Sequence, residues 1–299
     1  MILFASEAFR PMAETLAECA GLLPSPFQAA RFENGELHVE VNTSVKGERC
    51  FLLGSIAPPD EQMLCALLLA HTLKKEGARN VTAILPYLAY ARHDKEKPAE
   101  SLGTAWIGSM AQASGIDEVI TVDVHSARAK KLFPIPVVSL SPAEIFAEAI
   151  KRFGLMGSTI VAPDEGAIAR CEAVKGALRI PCGETPYFEK HRTTTGITHV
   201  ARIGAVSRRV VIIDDILDTG GTLVSACERL REAQAEEIYI MVTHGLFTGD
   251  RWRKLWQLGV KRIFCTDSVP IAGGLDGGRI ERLSVVPLLE QELCPLSRV

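Results

Sequence analysis

The sequence lacks the short motifs that mark three large classes of enzyme. No GxxxxGKS or GxxxxGKT segment occurs, which excludes a P-loop nucleotide site, and no GxGxxG segment provides a dinucleotide-binding fingerprint. No GxSxG segment occurs either, so the nucleophile elbow of an α/β-hydrolase is absent. Any phosphate-binding or catalytic site in this chain must therefore be of another kind.

Charge, cysteine spacing and apolar runs exclude further classes of protein. Lys and Arg number 33 against 36 Asp and Glu, and no basic run occurs, so general nucleic-acid binding is not expected. The eight cysteines form no CxxC pair, which leaves no zinc or redox signature and predicts buried free thiols in a reducing compartment. The longest apolar run, residues 64–70, is too short to span a bilayer, and early charges prevent a signal peptide. We expect a cytoplasmic protein that binds neither nucleic acid nor membrane.

A helix, a short polar turn and an apolar strand recur in this order along the chain. The turn and the strand of the four copies cover residues 77–85, 115–122, 234–242 and 259–265. This order is the αβ step of a parallel sheet. With 299 residues available, two similar α/β halves are the simplest explanation.

Prolines indicate where the two halves join. Pro134, Pro136 and Pro142 lie close together after the last repeat of the first half. We therefore predict one domain over residues 1–140 and a second over residues 141–282.

The second half has recognisable first and last elements. A helix is predicted over residues 142–153, and the glycines of residues 273–278 predict a loop. After that loop, residues 283–287 indicate a strand and residues 288–293 a short terminal helix.

The most informative segment is residues 209–223, RVVIIDDILDTGGTL. Residues 210–213 predict a strand buried on both faces, followed by the paired acids Asp214 and Asp215. The small, hydroxyl-rich turn 218–222 then leads into a helix, where backbone N–H groups and the helix dipole favour a phosphate. The paired carboxylates suit sugar hydroxyls or hydrated Mg²⁺, so the segment predicts a phosphorylated-sugar site. A turn that merely caps the helix is the alternative.

Other polar clusters follow predicted strands, where open parallel sheets bind ligands. Asp123 and His125 come after one strand, and His125 suits a metal or a phosphate unless it is only a structural hydrogen-bonding residue. Asp164 follows another strand and enters a helix, where it is either a site residue or an N-cap.

Two basic segments carry residues suited to phosphates. Arg92 and Lys95 follow two tyrosines, and the alternative for them is a solvated loop. Lys190 and Arg192 lie on a polar segment that we predict to be flexible and able to close over phosphoryl charge, unless it is simply an exposed loop. Residues 31–36 indicate a hairpin or loop with an exposed aromatic side chain.

Taken together, these segments resemble the ribose-phosphate diphosphokinases, or phosphoribosyl pyrophosphate (PRPP) synthases, over nearly the whole chain. DDILDTGGT resembles the PRPP-binding loop that phosphoribosyltransferases share. The more specific signal is the set of segments found in the family's order: FENGE, PYLAYARHDK, DVHS, PDEGA, EKHR and TDSVP.

The resemblance implies two phosphoribosyltransferase-like, Rossmann-like α/β domains with mainly parallel sheets, and residues 283–299 returning to the first domain as a strand and a helix. It implies transfer of the diphosphoryl group of ATP to the 1-hydroxyl of ribose 5-phosphate, with Mg²⁺, giving PRPP and AMP. It implies these ribose 5-phosphate contacts: Asp214, Asp215, Asp218, Thr219, Gly220, Gly221, Thr222 and Arg192. It implies these further roles: ATP binding by Phe32, Asn34, Gly35, Glu36, Arg92 and His93; metal binding by His125 and Asp164; catalysis by Lys190 and Arg192.

The resemblance also implies a homo-oligomer in which the FENGE-like segment reaches the ATP site of a neighbouring subunit. Two other functions stay open at this point. A phosphoribosyltransferase shares the DDILDTGGT loop but consumes PRPP, and a catalytically silent regulatory homologue would lack turnover.

Overall fold

The structure of the protein is a computed structural model that describes residues 1–181, 183–193, 196–202, 206–270 and 278–294. Of residues 189–193 and 196–202 it describes the backbone only. The chain divides into two compact units. The first comprises Met1–Ser141 with Val285–Val299, and the second comprises Pro142–Ser284.

The first unit is built on a parallel sheet in the order β2-β1-β5-β6-β7-β8. Its strands β1, β5, β6 and β7 are almost continuously buried, as expected for a parallel sheet with both faces covered. A separate antiparallel hairpin, β3–β4, stands outside this sheet. The strands described in this unit are β1 (Ile2–Ala5), β2 (Leu23–Pro24), β3 (Gln28–Arg31), β4 (Leu37–Glu40), β5 (Arg49–Leu53), β6 (Asn80–Ile84), β7 (Glu118–Val122) and β8 (Val137–Leu140). The helices before the division are α1 (Arg10–Ala20), α2 (Asp60–Lys75), α3 (Gly103–Ala113) and α4 (Ala127–Lys131).

The second unit repeats this design around the parallel sheet β15-β14-β13-β12-β9. A second antiparallel hairpin, β10–β11, forms a sheet of its own. The strands described here are β9 (Thr159–Val161), β10 (Tyr187–Thr193), β11 (Gly196–Arg202), β12 (Arg209–Leu217), β13 (Glu237–Gly245), β14 (Val260–Thr266) and β15 (Ile280–Leu283). The helices are α5 (Ala143–Arg152), α6 (Ile168–Ala177), α7 (Gly221–Glu232) and α8 (Lys254–Gln257). The predicted helix over residues 142–153 is confirmed as α5, and the predicted α/β class with parallel sheets is confirmed.

The predicted αβ steps are confirmed by the way their helices end. Gly77, Gly115, Gln234 and Gly259 each lie two residues past a helix and have a positive φ, between 64° and 91°. After α2, the N–H of Gly77 donates to Lys74 O (3.0 Å) and the N–H of Ala78 donates to Leu73 O (3.0 Å). This pair of bonds is a Schellman motif, and the ends of α3 and α7 repeat it. The left-handed residue turns the chain directly into the next buried strand.

The end of the chain differs from the prediction. The strand expected over residues 283–287 is instead β15, which ends at Leu283 and pairs with β14 in the second unit. Only the terminal helix α9 (Val286–Leu293) belongs to the first unit, where it packs against α1. The predicted loop over residues 273–278 lies almost wholly outside the described residues. Among the helices that are described, none is long and apolar enough to cross a membrane.

Candidate functional site

Strand β12 is longer than the sequence predicted and includes the paired acids. The apolar run ends at Ile213, but the strand continues to Leu217 and includes Asp214 and Asp215. Both side chains are buried, with 7% and 5% of their surface exposed. The backbone N–H of Asp215 donates to Asp214 Oδ1 (3.0 Å). Two adjacent carboxylates are therefore buried near the carboxyl end of an inner strand of a parallel sheet.

The electrostatic environment of this pair is strongly negative. Burial raises the pKa of Asp214 well above its usual range, and the charges of Asp215 and Asp164 raise it further. Arg170 on α6 opposes this rise, and its Nη2 lies 3.5 Å from Asp215 Oδ2. Among the described residues, the charged groups that act on Asp214 are the Asp215 and Asp164 carboxylates and the Arg170 guanidinium, and carboxylate oxygens grouped in this way suit a cation or the hydroxyls of a sugar.

The turn after β12 approaches the neighbouring backbone closely. Gly220 has φ 81°, and a Cβ atom there would lie 2.8 Å from Trp252 Cα, so only glycine fits. Gly220 is also the N-cap of α7 and has no side chain to cap the helix. The alternative in which an Asp or Thr of this turn is the N-cap is therefore wrong.

The loop after β13 fixes the turn from the other side. Leu217 O accepts hydrogen bonds from the N–H groups of Leu246 (2.8 Å) and Phe247 (3.1 Å). Asp218 O accepts one from the N–H of Thr248 (3.2 Å). The turn that opens α7 is thus rigidly held before any ligand arrives.

Asp164 lies close to this cluster, after β9. It stands in extended conformation at the start of the 3₁₀ turn Glu165–Ala167, and its side chain makes no capping hydrogen bond. Asp164 is therefore the N-cap residue of this turn by position, as the alternative predicted, but its side chain does not cap the turn. Since β9 pairs with β12, the two strand ends bring Asp164 and Asp214 within electrostatic reach.

The first unit brings two other predicted segments together. Asp94 is buried at 4% exposure, and its Oδ2 accepts a hydrogen bond from Ser126 Oγ (2.5 Å). Arg128 Nε donates to Asp94 O (2.7 Å), while Ser126 Oγ caps α4 by accepting from the N–H of Ala129 (2.9 Å). The segment with Arg92 and the one with His125 are therefore joined through Asp94, and His125 itself is exposed.

Arg92 and His93 are exposed on a loop that packs against the start of α3. Tyr90 meets His93 and Trp106 edge-on, at ring-centroid distances of 6.4 and 5.9 Å. Thr104 Oγ1 donates to Tyr90 O (2.7 Å). The loop has a defined shape that presents its charged side chains to solvent.

The FENGE segment forms the tip of the β3–β4 hairpin, which confirms the predicted turn. Gly35 has φ 89°, and the N–H of Glu36 donates to Asn34 Oδ1 (3.1 Å). Arg31 Nη1 donates to Gly35 O (2.5 Å). Phe32 stands 55% exposed at this tip, an aromatic side chain with much of its surface uncovered.

Lys190 and Arg192 lie in β10, opposite His199 and Ile197 of β11. Their side chains lie outside the described part of the chain. The backbone is a regular antiparallel hairpin, where the sequence predicted a flexible segment. Its base is well fixed, since the N–H of Ala162 donates to Pro186 O (2.9 Å) and Phe188 is fully buried.

Arg170 and Asp94 contact the candidate segments, although neither was among the predicted site residues. Asp94 lies between the predicted residues Arg92 and Lys95, but no local pattern shows that it is buried, and Arg170 lies on α6 away from any predicted strand end. Their roles depend on which elements become neighbours. The metal assignment stays a prediction: His125 and Asp164 lie in separate units, and the described residues contain no group of three or more His, Cys, Asp or Glu side chains set to hold an ion.

The cysteines whose environment is clearest are chemically quiet. Cys50, Cys171 and Cys227 are buried free thiols. Burial raises the pKa of Cys50 to about 11, which keeps the thiol protonated at neutral pH. Cys182 lies outside the described residues.

Comparison with known proteins connects these features to one family. Residues 1–115 match the family model of the N-terminal domain of ribose phosphate pyrophosphokinase, and residues 187–289 match that of the phosphoribosyl synthetase-associated domain. The ribose-phosphate pyrophosphokinase of Campylobacter jejuni is 30% identical over 293 residues, which cover 97% of this chain and 93% of the relative. That of Ralstonia nicotianae is 27% identical over 304 residues, covering 100% and 95%.

A solved structure agrees with the sequence relatives. The crystal structure of phosphoribosylpyrophosphate synthetase from Mycobacterium smegmatis matches with a TM-score of 0.88 and 26% identity, over 99% of this chain and 98% of that one. The similarity extends over both units and over nearly the full length of each relative. The chain belongs to the ribose-phosphate pyrophosphokinase family.

Proposed function

We propose that the protein transfers the β,γ-diphosphoryl group of ATP to the 1-hydroxyl of ribose 5-phosphate, forming PRPP and releasing AMP. The observation that carries the proposal is the arrangement at the end of β12. A buried carboxylate pair and a rigid glycine turn at a helix N-terminus lie on one continuous segment, in a chain that covers 93% of a relative from this family. The turn suits a phosphate, and the carboxylates suit the hydroxyls of its sugar.

The ribose 5-phosphate site follows from this arrangement. Its 5-phosphate is held by the turn, and Asp214 and Asp215 accept hydrogen bonds from the ribose hydroxyls. Arg192 assists from β10. The turn residues in this role are Asp218, Thr219, Gly220, Gly221 and Thr222.

ATP is bound by the β3–β4 tip and by the loop before α3. The exposed ring of Phe32 stacks on adenine, and the segment from Asn34 to Glu36 accompanies it. Arg92 and His93 bind from the loop. An aromatic side chain that projects from its own subunit supports a homo-oligomer in which the tip serves a neighbour's ATP.

Magnesium is the cofactor that fits these residues. Burial and the neighbouring carboxylates of Asp215 and Asp164 raise the pKa of Asp214, which shows that negative charge is concentrated here. Oxygen-rich, negatively charged surroundings are what Mg²⁺ selects. Asp164 would hold an ion at this edge of the second unit, where the ion would supply positive charge to the polyphosphate, and His125 is the candidate metal ligand of the first unit.

We assign Lys190 and Arg192 as the catalytic residues. Charge develops on the leaving AMP oxygen during diphosphoryl transfer, and placed cations lower the barrier by stabilising it. The chain carries a net charge of −3, so such cations have to be positioned individually.

The proposal is tested by incubating the protein with ATP, ribose 5-phosphate and Mg²⁺ and following AMP and PRPP. We expect both products in equal amounts. Binding of both substrates without AMP formation would instead identify a silent regulatory homologue. Consumption of added PRPP with a nucleobase would identify a phosphoribosyltransferase.

Lys190→Ala provides the matching test of mechanism. It should lower kcat by ~10²–10³ while the KM for ribose 5-phosphate changes little, because the lost charge acts on the transferring group. Lys151→Ala, at an exposed position on α5, is the control and should retain wild-type turnover.

A further inference from the structure

Arg251 occupies an electrostatically unusual position beside the glycine turn. It begins the 3₁₀ turn Arg251–Arg253, which packs directly against Gly220. A Cβ atom built on Gly221, the first residue of α7, would lie 3.4 Å from Arg251 Nη1 and 3.5 Å from its Cζ. The guanidinium is therefore in contact range of the helix N-terminus.

The 3₁₀ turn that carries Arg251 is rigid. Trp252 is fully buried, and its indole N–H donates to Gly249 O (2.9 Å). Its ring meets Phe247 and Trp256 at centroid distances of 4.9 and 6.2 Å. The backbone beneath the guanidinium is thus fixed by aromatic packing, which limits where the arginine side chain can reach.

The charged neighbours of Arg251 form ion pairs. Arg253 Nε lies 3.0 Å from Asp250 Oδ1, and Lys254 Nζ lies 2.6 Å from Glu228 Oε1. Within the described residues, Arg251 makes no ion pair or hydrogen bond. An unpaired cation at a helix N-terminus is unfavourable, since the helix dipole places positive partial charge there. A bound anion reverses the sign of this interaction.

We infer that Arg251 is a specificity-determining residue that binds the phosphate of the sugar substrate held by the turn. This inference rests on the proposed function and adds a side-chain cation to the backbone N–H groups of residues 218–222. Arginine adds directional, charge-assisted hydrogen bonds to phosphate oxygens. The site therefore selects a phosphorylated sugar over the free sugar through Arg251 as well as through the turn.

Calorimetric titration with ribose 5-phosphate tests the inference without ATP. Arg251→Ala should weaken binding about tenfold, and Arg251→Lys should recover part of the loss. Arg253→Ala is the matched control on the same 3₁₀ turn and should bind like the wild type. Equal losses in both alanine variants, or no loss in Arg251→Ala, would overturn the inference.

The pH dependence separates charge recognition from a structural effect. A phosphate monoester loses its second proton near pH 6, and an arginine favours the dianion. Wild-type affinity should therefore fall more steeply than that of Arg251→Ala as the pH drops from 7 to 5. Parallel pH profiles would contradict the inference. A wild-type protein that binds no ribose 5-phosphate would instead contradict the proposed function.

Discussion

At the scale of single residues, the buried carboxyl of Asp214 lowers the stability of the folded protein when it is ionised. A carboxylate whose folded-state pKa is raised is destabilising wherever it is forced to ionise. The unfolded chain loses this proton at lower pH than the folded chain does. The cost is therefore absent below the ordinary pKa of an aspartate, and it grows as the pH rises towards the elevated folded pKa of Asp214.

Asp214→Asn should raise the melting temperature at pH 8, because it removes a buried charge that faces Asp215 and Asp164. The gain should be about 2 °C or more and should shrink towards pH 5, because the raised pKa leaves less of the wild-type carboxyl ionised as the pH falls. Scanning calorimetry at both pH values measures it. The same variant should lose ribose 5-phosphate binding, and a lower melting temperature at pH 8 would argue against this account.

Residue patterns in the sequence predicted one half of the site and missed the other. Asp214, Asp215 and the glycine turn are contiguous, so a strand, two acids and a helix start were enough to single them out. Arg170 and Arg251 reach the same place from other elements. Their contribution depends on β9 pairing with β12 and on Trp252 packing under Gly220, and neither contact has a local signature.

At the scale of elements, a buried lysine fixes the base of the β10–β11 hairpin. Lys175 on α6 is 8% exposed, and its Nζ reaches Thr185 Oγ1 at 2.7 Å, Glu172 Oε1 at 3.0 Å and Gly183 O at 3.2 Å. The Thr185 hydroxyl also donates to the Glu172 carboxylate. The segment entering the hairpin that carries Lys190 is thus tied to a helix.

Lys175→Met should free this segment, because three polar partners lose their donor at once. We expect trypsin to cleave within residues 183–202 at least several-fold faster than in the wild type, while cleavage elsewhere is unchanged. Lys151→Met, which removes an exposed lysine, serves as the control. Unchanged cleavage in Lys175→Met would show that the cluster does not hold the hairpin.

Secondary structure was predicted correctly where nearby residues determine it. It was mispredicted where pairing with another strand determines it. The αβ steps were predictable because a left-handed residue and an apolar run are visible in the sequence. The hairpin β10–β11 was not, since its strands are rich in polar residues and pair mainly with each other over the part that the structure describes. The end of β12 was misplaced because aspartates disfavour strands, and pairing with β13 overrides that preference.

At the scale of the whole molecule, sharing of the ATP site between subunits can be tested by complementation. Phe32→Ala removes the exposed tip residue and Lys190→Ala removes a catalytic cation, so each homo-oligomer should be nearly inactive. Subunits mixed after mild dissociation should regain a substantial fraction of activity, because some sites then combine an intact tip with an intact β10. A Phe32→Ala, Lys190→Ala double variant mixed with itself is the control. No recovery in verified mixed oligomers would place both residues in one subunit's site.

Helix α9 has a consequence for how the protein is made. Leu289 and Leu293 are fully buried in the first unit, although they follow the whole second unit along the chain. Until α9 is synthesised, the surface of α1 that it covers stays exposed, and chaperones can recognise such a surface. The second unit is one continuous stretch of chain, so all of its residues are synthesised before α9. The first unit is therefore completed only after the second unit has been synthesised, when α9 packs against α1.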